Sequence, residues 1–303
     1  MRRAQYTVRM SAVPLFAGPA DLHTHSRVSD GTESPSRVMR EAAEAGLGVV
    51  ALTDHDSTAG WHEASVASRE AGITLIPGME FSTRFGYKSV HLLAYLFDPA
   101  DGDLNTETAR IRESRLRRAE SIVQKIAADY ALSWDDVVAQ TTPGATVGRP
   151  HIADALVARG HVPTRSEAFA GILHPRTGYY LPHYAPDPLK AVRLVRAAGG
   201  VPVIAHPATR GRDAMIDEKH LGELVDAGLF GLEVDHRENT EDGKDRLREL
   251  AAKFGLVLTG SSDYHGAGKP NRLGENTTPD AVVQAIIDEA TGSAPVYPSA
   301  PNR

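Results

Sequence analysis

Short apolar runs alternate along this chain with helical patterns, and this alternation limits the fold more than any other feature of the sequence. The runs are too short for helices, and most are bounded by glycine or proline, so they predict buried strands. The predicted strands cover residues 20–22, 49–52, 73–76, 90–96, 201–205, 230–234 and 256–259. Strands that alternate with helices favour a parallel α/β barrel or a doubly wound sheet.

The alternating pattern is interrupted between residues 99 and 185. Helix periodicity covers 106–130, 133–140 and 148–159, and no convincing strand lies between them. We therefore predict a barrel domain made of residues 1–98 and 186–303, which carries a helical insert, residues 99–185, as a cap over the substrate. Helix boundaries in the barrel part are clear, as where Ser34 and Pro35 suit an N-cap and a first helical position.

Composition excludes several classes of site. The chain has 303 residues, a formal net charge of −6 and no cysteine, so a thiolate nucleophile, a cysteine zinc site and a disulfide framework are ruled out. The lack of cysteine fits a reducing cytoplasm, where we expect the protein to act. The acidic balance argues against long nucleic acid as a structural partner. No apolar run reaches the roughly 20 residues that span a bilayer, and about the first 18 residues are interpreted as a loose leader.

Histidine and carboxylate residues follow the predicted strands. Residues two apart on an extended segment point the same way, so His23 with His25, and Asp263 with His265, can each direct two ligands at one ion. Five further candidates lie in or after other strands: Asp30, His55, Glu80, His91 and His206. The ends of parallel barrel strands meet at one face. Imidazole with carboxylate suits Zn²⁺, Mn²⁺ or Fe²⁺ better than Ca²⁺, so the sequence predicts a transition-metal centre at that face.

The order of these motifs resembles a known family. The motifs are residues 21–26, 29–31, 52–56, 77–80, 205–207 and 262–266. Together they resemble the polymerase and histidinol phosphatase (PHP) family of metal-dependent phosphoesterases. The resemblance implies a distorted TIM-like barrel of seven strands and seven helices, here with a helical insert, and two to three divalent ions (Mn, Fe or Zn, with Mg as an alternative).

The same resemblance implies a ligand set for each ion. One ion would be held by His23, His25, Glu80 and Asp263. A second would be held by Glu80, His91 and His206, and a third by Asp30, His55 and His265. Glu80 would thus bridge two ions, and Glu80, Asp263 and His265 would be the catalytic ligands. All nine positions carry a competent ligand.

A motif in the insert points to the substrate. Residues 148–153 resemble the branch of the family that hydrolyses the 3′-phosphate of nucleoside 3′,5′-bisphosphates or trims short 5′-phosphorylated oligonucleotides. Arg149 offers a planar fork for a phosphate, and His151 can donate a second bond. Arg176 and His236 are further candidates for substrate contact, and His183 is a candidate for a position near the site. The expected partner is therefore a small phosphorylated molecule.

The expected reaction is hydrolysis by a hydroxide formed from water whose pKa the metals lower. Asp54, Asp56 and His236 are candidates for the acid that protonates the leaving oxygen, with metal-bound water as an alternative. Three other functions stay open: a histidinol-phosphate phosphatase, a polymerase-associated proofreading module, and a non-catalytic metal- or nucleotide-binding protein.

Two groups of basic residues are predicted to be solvated. The arginines within 110–118 are interleaved with Glu107, Glu113 and Glu120, which is typical of an exposed helix face. His62, His161 and His220 lie in helix or loop patterns, and we expect them in solvent.

Overall fold

The computed structural model describes residues 16–209, 211 and 217–299. The leader interpreted from the sequence lies almost wholly outside this part of the chain. The strands are β1 (Ala20–Thr24), β2 (Val49–Leu52), β3 (Thr74–Phe85), β4 (Lys88–Tyr95), β5 (Val201–Ala205), β6 (Gly231–Asp235) and β7 (Val257–Gly260). They pair in sequence order, and a bridge between Thr24 and Tyr264 brings β1 beside the chain that leaves β7. The result is the distorted, nearly closed barrel that the sequence predicts.

The expectation of parallel strands throughout is wrong for β4, which runs antiparallel to both β3 and β5. Only Gly86 and Tyr87 separate β3 from β4, and so short a connection can join antiparallel strands only. β3 is also longer than predicted, because it continues through Pro77. It pairs with β2 as far as Pro77 and with β4 from Gly78 onward, so the proline lies where one partner replaces the other.

Helices follow the strands and fill the segment between β4 and β5. They are α1 (Pro35–Glu44), α2 (Trp61–Ala71), α3 (Gly102–Ile126), α4 (Trp134–Val138), α5 (Arg149–Ala158), α6 (Arg165–Ala170), α7 (Pro188–Ala197), α8 (Glu218–Asp226), α9 (Glu241–Phe254) and α10 (Asp280–Glu289). Ser34 caps α1 as predicted, since its side chain accepts a hydrogen bond from Arg37 N–H. None of the described helices is both long and apolar enough to cross a membrane.

The described residues between β4 and β5 form helices α3 to α7 and no strand. Four of these helices, α3 to α6, share a small core of their own, in which Ile122 and Ile126 of α3 meet Ile152 and Leu156 of α5. The first half of α3 instead packs on the barrel through Leu104 and Ile111. Helix α3 therefore anchors the helical insert to the barrel. The boundaries of the insert at residues 99 and 185 stay a prediction.

One predicted surface histidine is buried. His220, in α8, is 7% exposed, and its ring stacks on Phe85 at the end of β3 with the ring centroids 4.1 Å apart. The prediction of a solvated side chain is wrong here, because the ring is covered by Phe85 of the β3–β4 hairpin. Helical periodicity alone does not show that contact.

Candidate metal centre

All nine predicted ligands lie close together at one end of the barrel. They are His23, His25, Asp30, His55, Glu80, His91, His206, Asp263 and His265. Three overlapping groups of these residues have ligand atoms close enough to hold an ion. Two of the predicted ligands, His206 and Asp263, have positive φ angles of 29° and 56°. Such strained backbone at the ends of β5 and β7 is uncommon outside functional sites.

The first group has the spacing of a coordination shell. His23 Nε2 lies 3.0 Å from His25 Nε2, 3.3 Å from Glu80 Oε2 and 3.4 Å from Asp263 Oδ1. His25 Nε2 lies 3.0 Å from Glu80 Oε2 and 3.3 Å from Asp263 Oδ1. Ligands that share an ion at about 2.0–2.2 Å are roughly 3.0–3.6 Å apart. The residues present therefore fit a divalent ion.

The two oxygens of Glu80 face different sets of histidines. Oε2 lies 3.0 Å from His25 Nε2 and 3.2 Å from His55 Nδ1. Oε1 lies 2.6 Å from His91 Nδ1 and 3.1 Å from His206 Nε2. One carboxylate thus lies between two groups of nitrogens, which is the position that a bridging ligand needs.

The third group is composed differently from the predicted one. Asp30 Oδ1 lies 3.3 Å from His265 Nε2 and 3.6 Å from His25 Nδ1, so His25 belongs with them. His55 Nε2 is 3.7 Å from Asp30 Oδ2, but its Nδ1 faces Glu80. His55 therefore lies between the second and third groups.

Buried charge of both signs balances within the cluster. Burial alone would raise the pKa of Glu80, but the neighbouring histidines, His55 foremost, hold that pKa well below its usual range. Burial would lower the pKa of His23, but the carboxylates of Glu233 and Asp263 raise it well above its usual range. The carboxylates thus need cationic partners, a need that protonated histidines or divalent ions can meet.

The sequence analysis missed Glu233, a fully buried residue of β6. Its Oε1 lies 3.0 Å from His23 Nδ1, and its Oε2 accepts a hydrogen bond from His206 N–H at 2.7 Å. A carboxylate behind a ligating histidine fixes the ring and its tautomer. The signal available in the sequence was an acidic residue within an otherwise apolar predicted strand.

The three candidates for the leaving-group acid do not face the cavity at this site. Asp54 is buried and accepts hydrogen bonds from Ser26 and Ser29. Asp56 is buried and accepts from both Ser82 N–H and Ser82 O–H. His236 is fully buried, with Nε2 3.5 Å from Asp263 Oδ2. These side chains support the loops and the ligands, so the geometry does not favour them as proton donors to a substrate.

A cavity of about 570 Å³ opens over the ligands. Seven of the nine predicted ligands line it: Asp30, His55, Glu80, His91, His206, Asp263 and His265. Lys269 also lines it, and its Nζ donates to Asp263 Oδ2 at 2.6 Å. A second cavity of about 360 Å³ shares Asp30, His55, His91 and Arg149 with the first.

The second cavity is strongly basic. Arg84, Arg115, Arg118 and Arg149 line it together with His183. The prediction of a solvated arginine face is wrong for Arg115 and Arg118 of α3, which are each 7% exposed, whereas Arg110 and Arg117 are exposed as predicted. Arg115 pairs with Asp56 at 3.0 Å, whereas no carboxylate among the described residues lies within ion-pair distance of Arg118.

Arg118 is a buried cation for which the described part of the chain supplies no anionic partner. Its Nη1 donates to His183 Nδ1 at 2.9 Å, and its Nε has no hydrogen-bond partner among these residues. Burial, with help from Arg115 and Arg149, lowers the pKa of Arg118 to about 9. Burial, followed by the same arginine cluster, lowers the pKa of His183 far below its usual range, so its ring is neutral and can accept this hydrogen bond. An anion entering the cavity would satisfy Arg118.

The predicted substrate contacts in the insert differ in position. Arg149 lines both cavities, with its guanidinium 5.3 Å from the ring centroids of Phe169 and Tyr180. His151 is buried, and its Nδ1 accepts from Gly148 N–H at the start of α5, so it caps the helix and lines neither cavity. Arg176 is exposed and also lies outside both cavities.

Comparison with known proteins places this geometry in a family. The PHP domain model matches residues 21–129. A 3′,5′-nucleoside bisphosphate phosphatase of Chromobacterium violaceum is 33% identical over 83% of this chain and 89% of its own length. This chain belongs to the PHP family of metal-dependent phosphoesterases.

Two further relatives of this PHP protein agree with that assignment. A 5′-3′ exoribonuclease of Haemophilus influenzae is 31% identical over 84% of this chain and 93% of its own length. A Bifidobacterium adolescentis protein, assigned as a metal-dependent phosphoesterase, has a solved structure with a TM-score of 0.88 and 42% identity. That alignment covers 92% of this chain and 98% of the other. The family resemblance, the barrel and the enzymatic class expected from the sequence are therefore confirmed.

Proposed function

We propose that this PHP phosphoesterase hydrolyses one phosphate of a small nucleotide that carries a second phosphate. Nucleoside 3′,5′-bisphosphates and short 5′-phosphorylated oligonucleotides are the expected substrates. The observation that carries the proposal is the pair of adjoining cavities, one lined by metal ligands and the other by arginines. A substrate with two phosphates can occupy both, and the names of two relatives agree with such a substrate.

We infer that the nine residues of the cluster hold two or three divalent ions, with Glu80 between two of them. Mixed nitrogen and oxygen ligands favour Mn²⁺, Fe²⁺ or Zn²⁺, with Mg²⁺ as an alternative. When bound, such ions lower the pKa of water and polarise the phosphoryl oxygens. Glu233 holds His23 in the tautomer that presents Nε2 to the site, since its Oε1 accepts from Nδ1.

The side chains around the two cavities have separate tasks in this proposal. Lys269, anchored on Asp263, directs an ammonium group into the first cavity, where it can offset charge on the phosphate that reacts. Arg118 and Arg149 bind the phosphate that is retained. Binding energy at the retained phosphate then orients the reacting one.

Protein prepared without chelators should contain about two to three divalent ions per chain, because three overlapping ligand groups are present. Inductively coupled plasma mass spectrometry measures this directly, with the same protein after EDTA treatment as the control. A content below about one ion per chain in a preparation that retains metal would contradict the ligand assignment and favour a different use of the cluster.

Arg149→Ala should mainly raise KM for a nucleoside 3′,5′-bisphosphate, because the lost fork binds the retained phosphate. A charge-assisted bidentate contact contributes about 1.5–3 kcal/mol, so the increase should be about 10- to 150-fold. Arg149→Lys should recover only part of the loss. Steady-state kinetics with the bisphosphate and with an aryl phosphate, which has no second phosphate, measure the effect.

The matched control is Arg176→Ala, since Arg176 is exposed and outside both cavities. This substitution should change neither KM nor kcat for either substrate. An equal loss on both substrates after Arg149→Ala would move Arg149 to the reacting phosphate, and no loss on either would remove the nucleotide assignment.

Substrate class is best tested by phosphate release from a panel. The panel contains nucleoside 3′,5′-bisphosphates, short 5′-phosphorylated oligoribonucleotides and histidinol phosphate. We expect the first two to be preferred, since histidinol phosphate has no group for the arginine cavity. Preference for histidinol phosphate would establish the alternative phosphatase, and a metal-loaded protein inactive on the whole panel would favour a binding function.

A further inference from the structure

The loop that carries Asp30 is held by the helical insert. Three of its backbone carbonyls, those of Arg27, Val28 and Asp30, accept hydrogen bonds from insert residues. Val28 O accepts from Thr146 N–H at 2.9 Å, and Asp30 O accepts from Arg165 Nη1 at 2.9 Å. The second contact is made to a predicted metal ligand itself. The position of Asp30 therefore depends on a residue at the start of α6.

The guanidinium of Arg165 is fixed from three sides. Its Nε and Nη2 donate to the two oxygens of Asp154, at 2.8 and 2.5 Å, and only 12% of the side chain is exposed. On the other side it packs on Gly268, where an added Cβ would lie 2.2 Å from Nη1. Gly268 ends the turn that follows His265, so Arg165 contacts the loops of two neighbouring ligands.

We propose that Arg165 positions Asp30, so that the helical insert controls the affinity of the one ion held by Asp30 and His265. The proposal rests on the metal-dependent function described above. Asp30 and His265 are 3.3 Å apart and their loops meet the insert, whereas the His23–His25–Glu80–Asp263 group is held within the barrel. Loss of Arg165 should therefore lower the affinity for one ion and leave the affinity for the others unchanged.

The same contact connects the ion to the substrate cavity. Asp154 and Arg149 lie on the same short helix, α5, so a phosphate that binds Arg149 restrains the helix that aims Arg165. Linkage requires the effect to be reciprocal: if bound substrate raises the affinity for this ion, the bound ion raises the affinity for substrate by the same factor. The ion held by Asp30 is therefore the one whose binding is coupled to substrate binding.

Arg165→Met should lower the affinity for one ion by about 10- to 100-fold, which is the usual effect of removing a partner behind a metal ligand. Chelator-treated full-length protein is titrated with Mn²⁺ by calorimetry, and bound Mn²⁺ is counted after dialysis at a fixed free concentration. We expect weaker binding of one Mn²⁺ ion and unchanged affinity for the remaining ions. Activity should fall at low Mn²⁺ and recover at high Mn²⁺. Arg165→Lys should give a smaller shift than Arg165→Met, because it keeps a cationic donor. It should not restore the wild-type affinity, because an ammonium cannot contact both Asp154 and Asp30 O as the fork does.

Gly268→Ala tests the same contact in a second way. The new Cβ displaces the Arg165 guanidinium from its position, but the residue keeps its positive charge. Arg159→Met is the control, since Arg159 ends α5 in a half-exposed position and contacts Ala131 and Asp136. Unchanged Mn²⁺ binding in Arg165→Met, or equal weakening of every ion, would overturn the inference. Wild-type protein that binds no Mn²⁺ would instead refute the proposed function, which keeps the two failures distinct.

Discussion

Glu80→Gln should reduce kcat by about 100-fold or more while the protein stays folded. The substitution keeps the shape of the side chain, but its amide cannot present two anionic oxygens to the histidines on either side, which lie 2.6–3.2 Å away. Removing a preorganised charge of this kind typically lowers kcat by about 10²–10³-fold. The measurements are kcat on a nucleoside 3′,5′-bisphosphate, metal content by mass spectrometry, and the circular dichroism spectrum.

Glu107→Gln is the matched control for this change. Glu107 is also buried, but it pairs with Lys190 and Tyr184 away from the cluster, so its loss should affect stability and not kcat. The metal content of Glu80→Gln should fall by at least one ion per chain. If the variant retained more than about a tenth of wild-type kcat with full metal content, Glu80 would not bridge two ions.

Local patterns were sufficient to predict the strands, and the family resemblance decided for a barrel over a doubly wound sheet. One connection accounts for the error in strand direction. Each observed strand overlaps a predicted one, because apolar runs bounded by glycine or proline depend on local sequence. The direction of β4 does not depend on its own composition. It follows from the two-residue connection at Gly86 and Tyr87, which becomes apparent only when β3 is known to extend to Phe85.

Site residues could be predicted where their spacing matches the two-residue period of a strand. They could not be predicted where they depend on a contact between elements that are distant in sequence. His23 lies in β1 and His25 directly follows it, and the two share a set of carboxylates as their spacing of two residues predicts. Glu233 supports His23 from β6 through a pairing that no local pattern encodes. Arg115 and Arg118 follow the periodicity of α3, but the periodicity does not tell which face of a charged helix meets the barrel.

Arg118→Met should lower catalytic activity and raise the stability of the folded protein. For a nucleoside 3′,5′-bisphosphate we expect kcat/KM to fall about 30- to 1,000-fold, since truncating one partner of a buried charge pair costs about 2–4 kcal/mol. In the free protein the same cation is buried with no carboxylate from residues 16–209, 211 or 217–299 beside it, which is unfavourable. Its removal should therefore raise Tm by several degrees, as about 1 kcal/mol shifts Tm by roughly 2–4 °C in a large domain. Kinetics and calorimetry measure the two effects.

Arg117→Met, one residue earlier on α3, controls for the loss of an arginine from this helix. Its side chain is 68% exposed and pairs with the exposed Glu113, so neither Tm nor kcat/KM should change appreciably. An aryl phosphate should be hydrolysed almost equally by wild type and Arg118→Met, because it leaves the arginine cavity empty. A lower Tm in Arg118→Met would show that the guanidinium stabilises the fold through its hydrogen bond to His183. An equal loss on both substrates would place Arg118 at the reacting phosphate. A gain in stability together with a loss confined to the bisphosphate is the result expected of a cation kept buried for an anionic substrate.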